Sequence, residues 1–149
     1  MSNDYASTQN TFPSTNGTIV VPATFPTKVL VTGGIVSVTP GQSGQLFSLA
    51  PVGATITMPG VSISRGCSYS FQMINNNSVT AWTITFPTGT LYGLALGASA
   101  TFLISGDTTL LFATGALKGD RVDASCDGYL WNVKCYSTAA AASTSFSVS

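Results

Sequence analysis

The sequence predicts an all-β protein: an antiparallel, jelly-roll-like β-sandwich of about eight to ten short strands with extended terminal arms. Three observations carry that expectation. Short runs alternate apolar and polar residues with a period of two, as half-buried strands do. Proline and glycine clusters end those runs. The runs follow one another directly, without the intervening helical patterns of α/β units.

Residues 1–27 hold few apolar positions before Thr18-Ile19-Val20-Val21, and Pro13, Pro22 and Pro26 interrupt them. They read as an extended N-terminal arm with at most one short strand. Residues 28–32 and 35–39 flank Gly33-Gly34, a two-residue hairpin signal. Next comes Gln45-Leu46-Phe47-Ser48-Leu49, between Gly44 and Pro51. Ala54-Thr55-Ile56-Thr57-Met58 alternates and stops at Pro59-Gly60. In residues 67–73, Cys67, Tyr69, Phe71 and Met73 share one face and Ser68, Ser70 and Gln72 the other. A turn at Asn75-Asn76-Asn77 leads to residues 79–86, where Trp82, Ile84 and Phe86 oppose Thr83 and Thr85. Strands follow at 91–94, 100–105 and 108–113, the last two joined through Gly106-Asp107. The final run, 128–137, puts Tyr129, Trp131, Val133 and Cys135 on one face. The sandwich is thus assigned to 28–136, and 137–149, with its four consecutive alanines, to a low-complexity tail.

Composition narrows the function. The chain has 149 residues, 7% charged, with zero formal net charge and no histidine. The acidic residues are all aspartate. Acid/base catalysis near neutral pH leans on His, Glu, Asp, Lys, Tyr or Cys in partnered positions. Losing His and Glu argues against an enzyme, and no Ser-x-x-Lys is present to begin a nucleophile argument. Lys28, Arg65, Lys118, Arg121 and Lys134 are scattered, whereas phosphate binding needs clustered cations, so nucleic acid is not expected as a partner. No run approaches the roughly 20 apolar residues of a membrane helix, and no secretory signal is visible. Cys67, Cys126 and Cys135 lack metal or redox spacing and read as free thiols, Cys67 and Cys135 being small core residues. A neutral surface of small polar residues suits a subunit covered by neighbours.

From Ala54 to Tyr136 the order of elements is specific. An alternating strand ends in Pro-Gly, and Gly66, Tyr69 and Phe71 form a Gly-x-x-Tyr-x-Phe strand. Thr83-Ile84-Thr85-Phe86-Pro87, then Gly97 before Ala100-Thr101-Phe102-Leu103, lead to Asp127-Gly128-Tyr129-Leu130-Trp131-Asn132-Val133. This order resembles β-sandwich modules of viral structural proteins: single jelly-roll capsid or penton proteins of large double-stranded DNA viruses, and phage tail-fibre or spike domains. The resemblance covers a little over half of the chain. It implies a virion subunit, in the capsid shell or at a vertex, forming a pentamer or trimer and packing against other capsid proteins. The alternative is a fibre, spike or adhesin module that binds host glycans. A hydrolase with an unusual Asp-based site is a third reading.

Several constellations invite sharper readings. Asp120, Asp123 and Asp127, with Asp107 in an earlier turn, could gather around calcium, but Gly-Asp segments more often build turns. Lys118-Gly119-Asp120 resembles an adhesion tripeptide of a kind that arises often by chance. Most aromatics fall in phase with aliphatics and read as core, leaving Tyr92 and Tyr136 as candidates for exposed contacts. Thr55-Ile56-Thr57 and Thr83-Ile84-Thr85 resemble flat ice-binding arrays, without the fixed repeat those need. Asn16-Gly17-Thr18 and Asn76-Asn77-Ser78 satisfy the glycosylation pattern. No catalytic, cofactor-binding or metal residue is assigned. Tyr5, Phe12, Phe25 and Phe146 suggest arms that order along adjacent subunits.

Overall fold

A computed structural model describes residues 9–14, 17–22, 28–76 and 80–149. The described residues are all-β, with two sheets, a separate hairpin, two single 3-10 turns (Pro40–Gln42 and Val61–Ile63) and one short α-helix. The strands are β1 (Gln9–Ser14), β2 (Gly17–Pro22), β3 (Lys28–Val31), β4 (Gly34–Ser37), β5 (Leu46–Leu49), β6 (Ala54–Thr57) and β7 (Ser68–Met73). They continue as β8 (Trp82–Thr85), β9 (Leu91–Leu96), β10 (Thr101–Asp107), β11 (Thr109–Phe112), β12 (Arg121–Cys126), β13 (Trp131–Tyr136) and β14 (Phe146–Val148), with α1 (Ala142–Ser145) before β14. The large sheet runs β10-β9-β13-β12-β7-β5-β3 and the small one β14-β11-β8-β6-β4.

The first half winds rather than zigzags. Successive strands alternate between sheets, so β3, β5 and β7 stack in parallel in one layer and β4, β6 and β8 in the other. Val29, Phe47 and Phe71 share a register, as do Val36, Ile56 and Ile84. Their sequence intervals are unequal, because the linking loops lengthen from coil to coil. The expected antiparallel pairing therefore fails over β3–β8, and β9 joins β13 in parallel as well. It holds where β7, β12 and β13 pair, where β9 pairs β10, and where β8, β11 and β14 pair.

Gly33-Gly34 is not a hairpin turn. Its glycines, at φ 135° and 84°, carry the chain from the large sheet to the small one. The apolar positions of β3 and β4 then meet across the core instead of lying side by side in one layer. A strand was also missed: β12 sits inside the large sheet between β7 and β13. Val122, Ala124 and Cys126 point inward there, so Asp123 lies on a strand and not in a loop. The number of strands accordingly exceeds the expected eight to ten.

Both predicted arms contain sheet. β1 and β2 pair antiparallel from Gln9↔Pro22 to Ser14↔Gly17, two strands where at most one was expected. A two-stranded ribbon is all edge, and edges tolerate proline. At the other end the predicted tail is part of the core. β14 adds to β11 with Phe112 opposite Phe146, and the two rings lie 5.1 Å apart. Ala142, Ser145 and Phe146 are buried.

One core fills the space between the sheets, and Trp82, Trp131, Tyr69, Phe47, Phe71, Phe112 and Phe146 are its largest members. Each polar ring atom reaches a loop carbonyl, as buried Trp and Tyr require. Trp82 Nε1 donates to Ala50 O at 2.7 Å, Tyr69 Oη to Thr39 O at 2.9 Å, and Trp131 Nε1 to Pro59 O at 3.3 Å. These bonds tie three interstrand loops to the core.

Candidate functional site on the outer face of the large sheet

The inward residues of β7, β12 and β13 are apolar, so strict alternation places their polar partners outside in rows. Ser68, Ser125, Asn132 and Tyr92 form one row across β7, β12, β13 and β9. Ser70, Asp123, Lys134 and Leu94 form the next, and Gln72, Arg121, Tyr136 and Leu96 the third. Short side chains on the first two rows, beside longer ones, leave a groove of about 520 Å³. Ser68, Ser125 and Asn132 line it together with Lys134, Tyr136 and Leu94.

Its electrostatics are set by one bonded cluster. Asp123 Oδ1 accepts from Ser70 Oγ and from Arg121 Nε, both at 2.7 Å, and Arg121 Nη2 donates to Ser70 Oγ at 3.3 Å. Arg121 thereby neutralises Asp123. Lys134, opposite Asp123 in the register, makes no ion pair among the described residues. The Asp127 carboxylate interacts with the Asn132 side chain at one end of the groove, so Arg121 and Lys134 are matched in number by Asp123 and Asp127, and Lys134 is the cation there without an ion pair. Tyr136 stands at its rim, 41% exposed, and matches the expectation of an exposed contact; Tyr92 is only half-exposed.

The carboxylates singled out in the sequence are dispersed, each with its own task. Asp120 is fully buried. Its Oδ1 accepts from the Thr138 amide at 2.6 Å and the Thr138 hydroxyl at 2.7 Å, and its Oδ2 accepts from the Leu117 amide at 2.7 Å. A carboxylate so enclosed is not available to an adhesion receptor, which removes the Lys118-Gly119-Asp120 reading. Asp127 Oδ1 accepts from the Tyr129 and Leu130 amides at 2.8 Å each. Those amides, Leu130 foremost, hold its carboxyl below the usual range. Asp107 Oδ2 accepts from the Ser105 amide. Among the described residues no group of His, Cys and carboxylates converges as a metal site.

Tyr129 is corrected from core to surface: it lies in the turn before β13 and is 77% exposed. Tyr69, Phe71, Trp82, Phe86 and Trp131 are buried as expected, and Phe102 packs partly buried against them. The Thr-x-Thr segments meet in parallel, Thr55 beside Thr83 and Thr57 beside Thr85, opposite in phase to buried Ile56 and Ile84. Winding supplies this alignment without a sequence period. Asn16, Asn77 and Ser78 lie outside the described residues; Asn76 Oδ1 accepts from the Lys118 amide at 2.9 Å. No helix among the described residues is long and apolar enough to cross a membrane.

All three cysteines are free and buried, Cys126 included. Burial, reinforced by the charge of Asp123, pushes the Cys135 thiol from 9.0 up to about 12. Burial also raises Cys126 and, with a hydrogen bond to Cys67, the Tyr69 phenol. An unfolded thiol loses its proton near 9, so above that pH the unfolded state binds fewer protons and stability falls as pH rises. We expect this loss to run from about pH 9 to about pH 12. In Cys135→Ala, urea melts across that range should show a shallower fall of stability with pH. Equal slopes in the two proteins would contradict it.

No family model, no curated protein and no solved structure matches the chain. The groove was legible in the sequence only on its β7 and β13 sides. The missing signal was the alternation of Val122, Ala124 and Cys126 with Arg121, Asp123 and Ser125.

Proposed function

We propose that this protein is a structural subunit of a virion, a β-sandwich that acts by self-assembly into a closed trimer or pentamer and by packing against other capsid proteins. Its wound half distinguishes it from an all-antiparallel jelly roll. The observation that carries the reading is the end of the stack. β3 and β4 are the edges of their sheets on the same side, and among the described residues no strand pairs with either outer edge. Leu30 on β3 and Ile35 on β4 are 59% and 82% exposed there, with exposed Val52 beside Gly33. Long-lived monomers protect such edges with charge, proline or a covering element. Here β3 carries one such charge, the exposed Lys28, and β4 none, so unpaired backbone and the apolar Leu30 and Ile35 stand open on a chain of zero net charge.

The opposite end of the stack is formed by β10 and β14, with exposed Leu103 on β10. Edges of different composition suit head-to-tail contact, which closes into a ring when the rotation permits. Sedimentation of the full chain at micromolar concentration should give one closed oligomer. Ile35→Lys, which puts a charge on the free edge of β4, should shift it to monomer while the β-sheet circular dichroism and a cooperative melt are kept, the melting temperature falling by no more than the loss of assembly accounts for. A wild-type chain that sediments only as monomer overturns self-assembly.

A further inference from the structure

We infer that the groove on the outer face of the large sheet binds a saccharide carrying a carboxylate. This site does not depend on the assembly reading, since it lies on a sheet face and not on the free edges. Its volume, about 520 Å³, is that of a small-ligand cleft.

Hydroxyl and amide groups are set in a lining that is otherwise mostly apolar. Ser68, Ser125 and Asn132 stand side by side on three hydrogen-bonded strands, about 4.8 Å apart from strand to strand. Such a rank of short donors and acceptors matches a ligand that displays several hydroxyls along one edge. Strand-borne Ser and Asn have little rotamer freedom to lose, so ordering them on binding costs little. Tyr136 at the rim supplies a ring for the C–H face of a sugar, and Leu94 adds apolar surface.

Charge selects the class of saccharide. Asp123 is engaged by Arg121 and Ser70, and Asp127 is held by the Tyr129 and Leu130 amides at the Asn132 end, which leaves the Lys134 ammonium as the groove's one cation without an ion pair among the described residues. A ligand carboxylate there gains a charge-assisted hydrogen bond that a neutral sugar lacks. One lone cation does not suit a polyphosphate, which needs several.

The test is calorimetric titration of the full chain with trigalacturonate and sialyllactose as acidic probes, and with maltotriose as the neutral one. At least one acidic probe should bind with a Kd on the order of 0.1–1 mM, roughly tenfold or more tighter than maltotriose. Lys134→Gln should erase that preference, and Tyr136→Ala should weaken the acidic probe about tenfold. Ser125→Trp, which fills the groove, should abolish binding, with melting temperatures confirming that each variant folds. The proposal is overturned if neither acidic probe binds at 10-fold the upper end of that range. It is equally overturned if maltotriose binds best, or if the Lys134→Gln and Ser125→Trp variants both bind like the parent.

Discussion

A chain that stops at Tyr136 is expected not to fold. The missing segment would remove β14 from the edge of the small sheet and leave β11 with one open side. Phe112 would lose the Phe146 ring, and Asp120 would lose both bonds from Thr138. Asp120 would keep only the Leu117 amide, and a buried carboxylate that loses two of its three partners costs several kcal/mol by itself. Phe146→Ala isolates the packing part, and removal of a buried phenylalanine costs about 3–5 kcal/mol. Against a typical total of about 5–15 kcal/mol, that substitution leaves a marginal protein and the full deletion leaves none. Circular dichroism and urea melts decide the matter. A truncated chain with native sheet signal and a cooperative transition would show that the segment is dispensable, as its composition suggested.

That composition misled for a physical reason. Around Gly97 and Gly115 the returning chain passes so close that a Cβ on either glycine would collide with the Ala142 amide or the Thr144 carbonyl. Close backbone approach selects Ala, Ser and Thr, the same residues that dominate unstructured tails. Tails and tightly packed crossings therefore look alike until Phe146 is weighed as a core residue. β12 escaped notice for a related reason: Asp, Ala and Ser have low strand propensity, and its two flanking strands impose the conformation. At Gly33-Gly34 the sequence calls for a sharp reversal, and both a hairpin and an arch between layers satisfy that demand. What separates them is the partner of β3, which is β5 in parallel register. That partner lies beyond the reach of local pattern.

Strand positions in the rest of the sheets were legible because alternation against a core is strict. Cys67, Tyr69, Phe71 and Met73 face in as their phase requires, and Trp131, Val133 and Cys135 do the same. The groove follows from the complementary phase, since the residues left outside are Ser68, Ser70, Asn132, Lys134 and Tyr136. Only pairing shows that Asp123 and Arg121 lie between them. A sequence scan for clustered carboxylates found Asp120, Asp123 and Asp127, yet β12 separates the first from the last and turns Asp123 onto the outer face. Proximity along a strand places alternate residues on opposite faces, so nearness in sequence was the wrong measure there.

Gly93→Ala is expected to be the most damaging single methyl added to the large sheet. Among the described residues the hairpin of β9 and β10 joins the rest of that sheet only through the parallel pairing of β9 with β13. Gly93 sits in the middle of this pairing, opposite Val133, with φ 154°. A Cβ at that position would collide with the Val133 carbonyl and crowd its side chain. Neither obstacle is the free end of a flexible side chain, so relief requires the two strands to separate. Overpacking alone costs about 1–3 kcal/mol, and broken ladder hydrogen bonds add about 1 kcal/mol each. A loss of roughly 3–5 kcal/mol is expected. Gly60→Ala is the control, because Gly60 has φ −58° and nothing lies within 4 Å of an added Cβ; it should change stability by less than about 1 kcal/mol. Hydrogen exchange adds the location: in Gly93→Ala the amides of β9 and β10 should lose protection well before those of β7 and β12. If Gly93→Ala and Gly60→Ala unfold at the same urea concentration, β9 does not approach β13 this closely, and the groove wall built on Leu94 is misplaced with it.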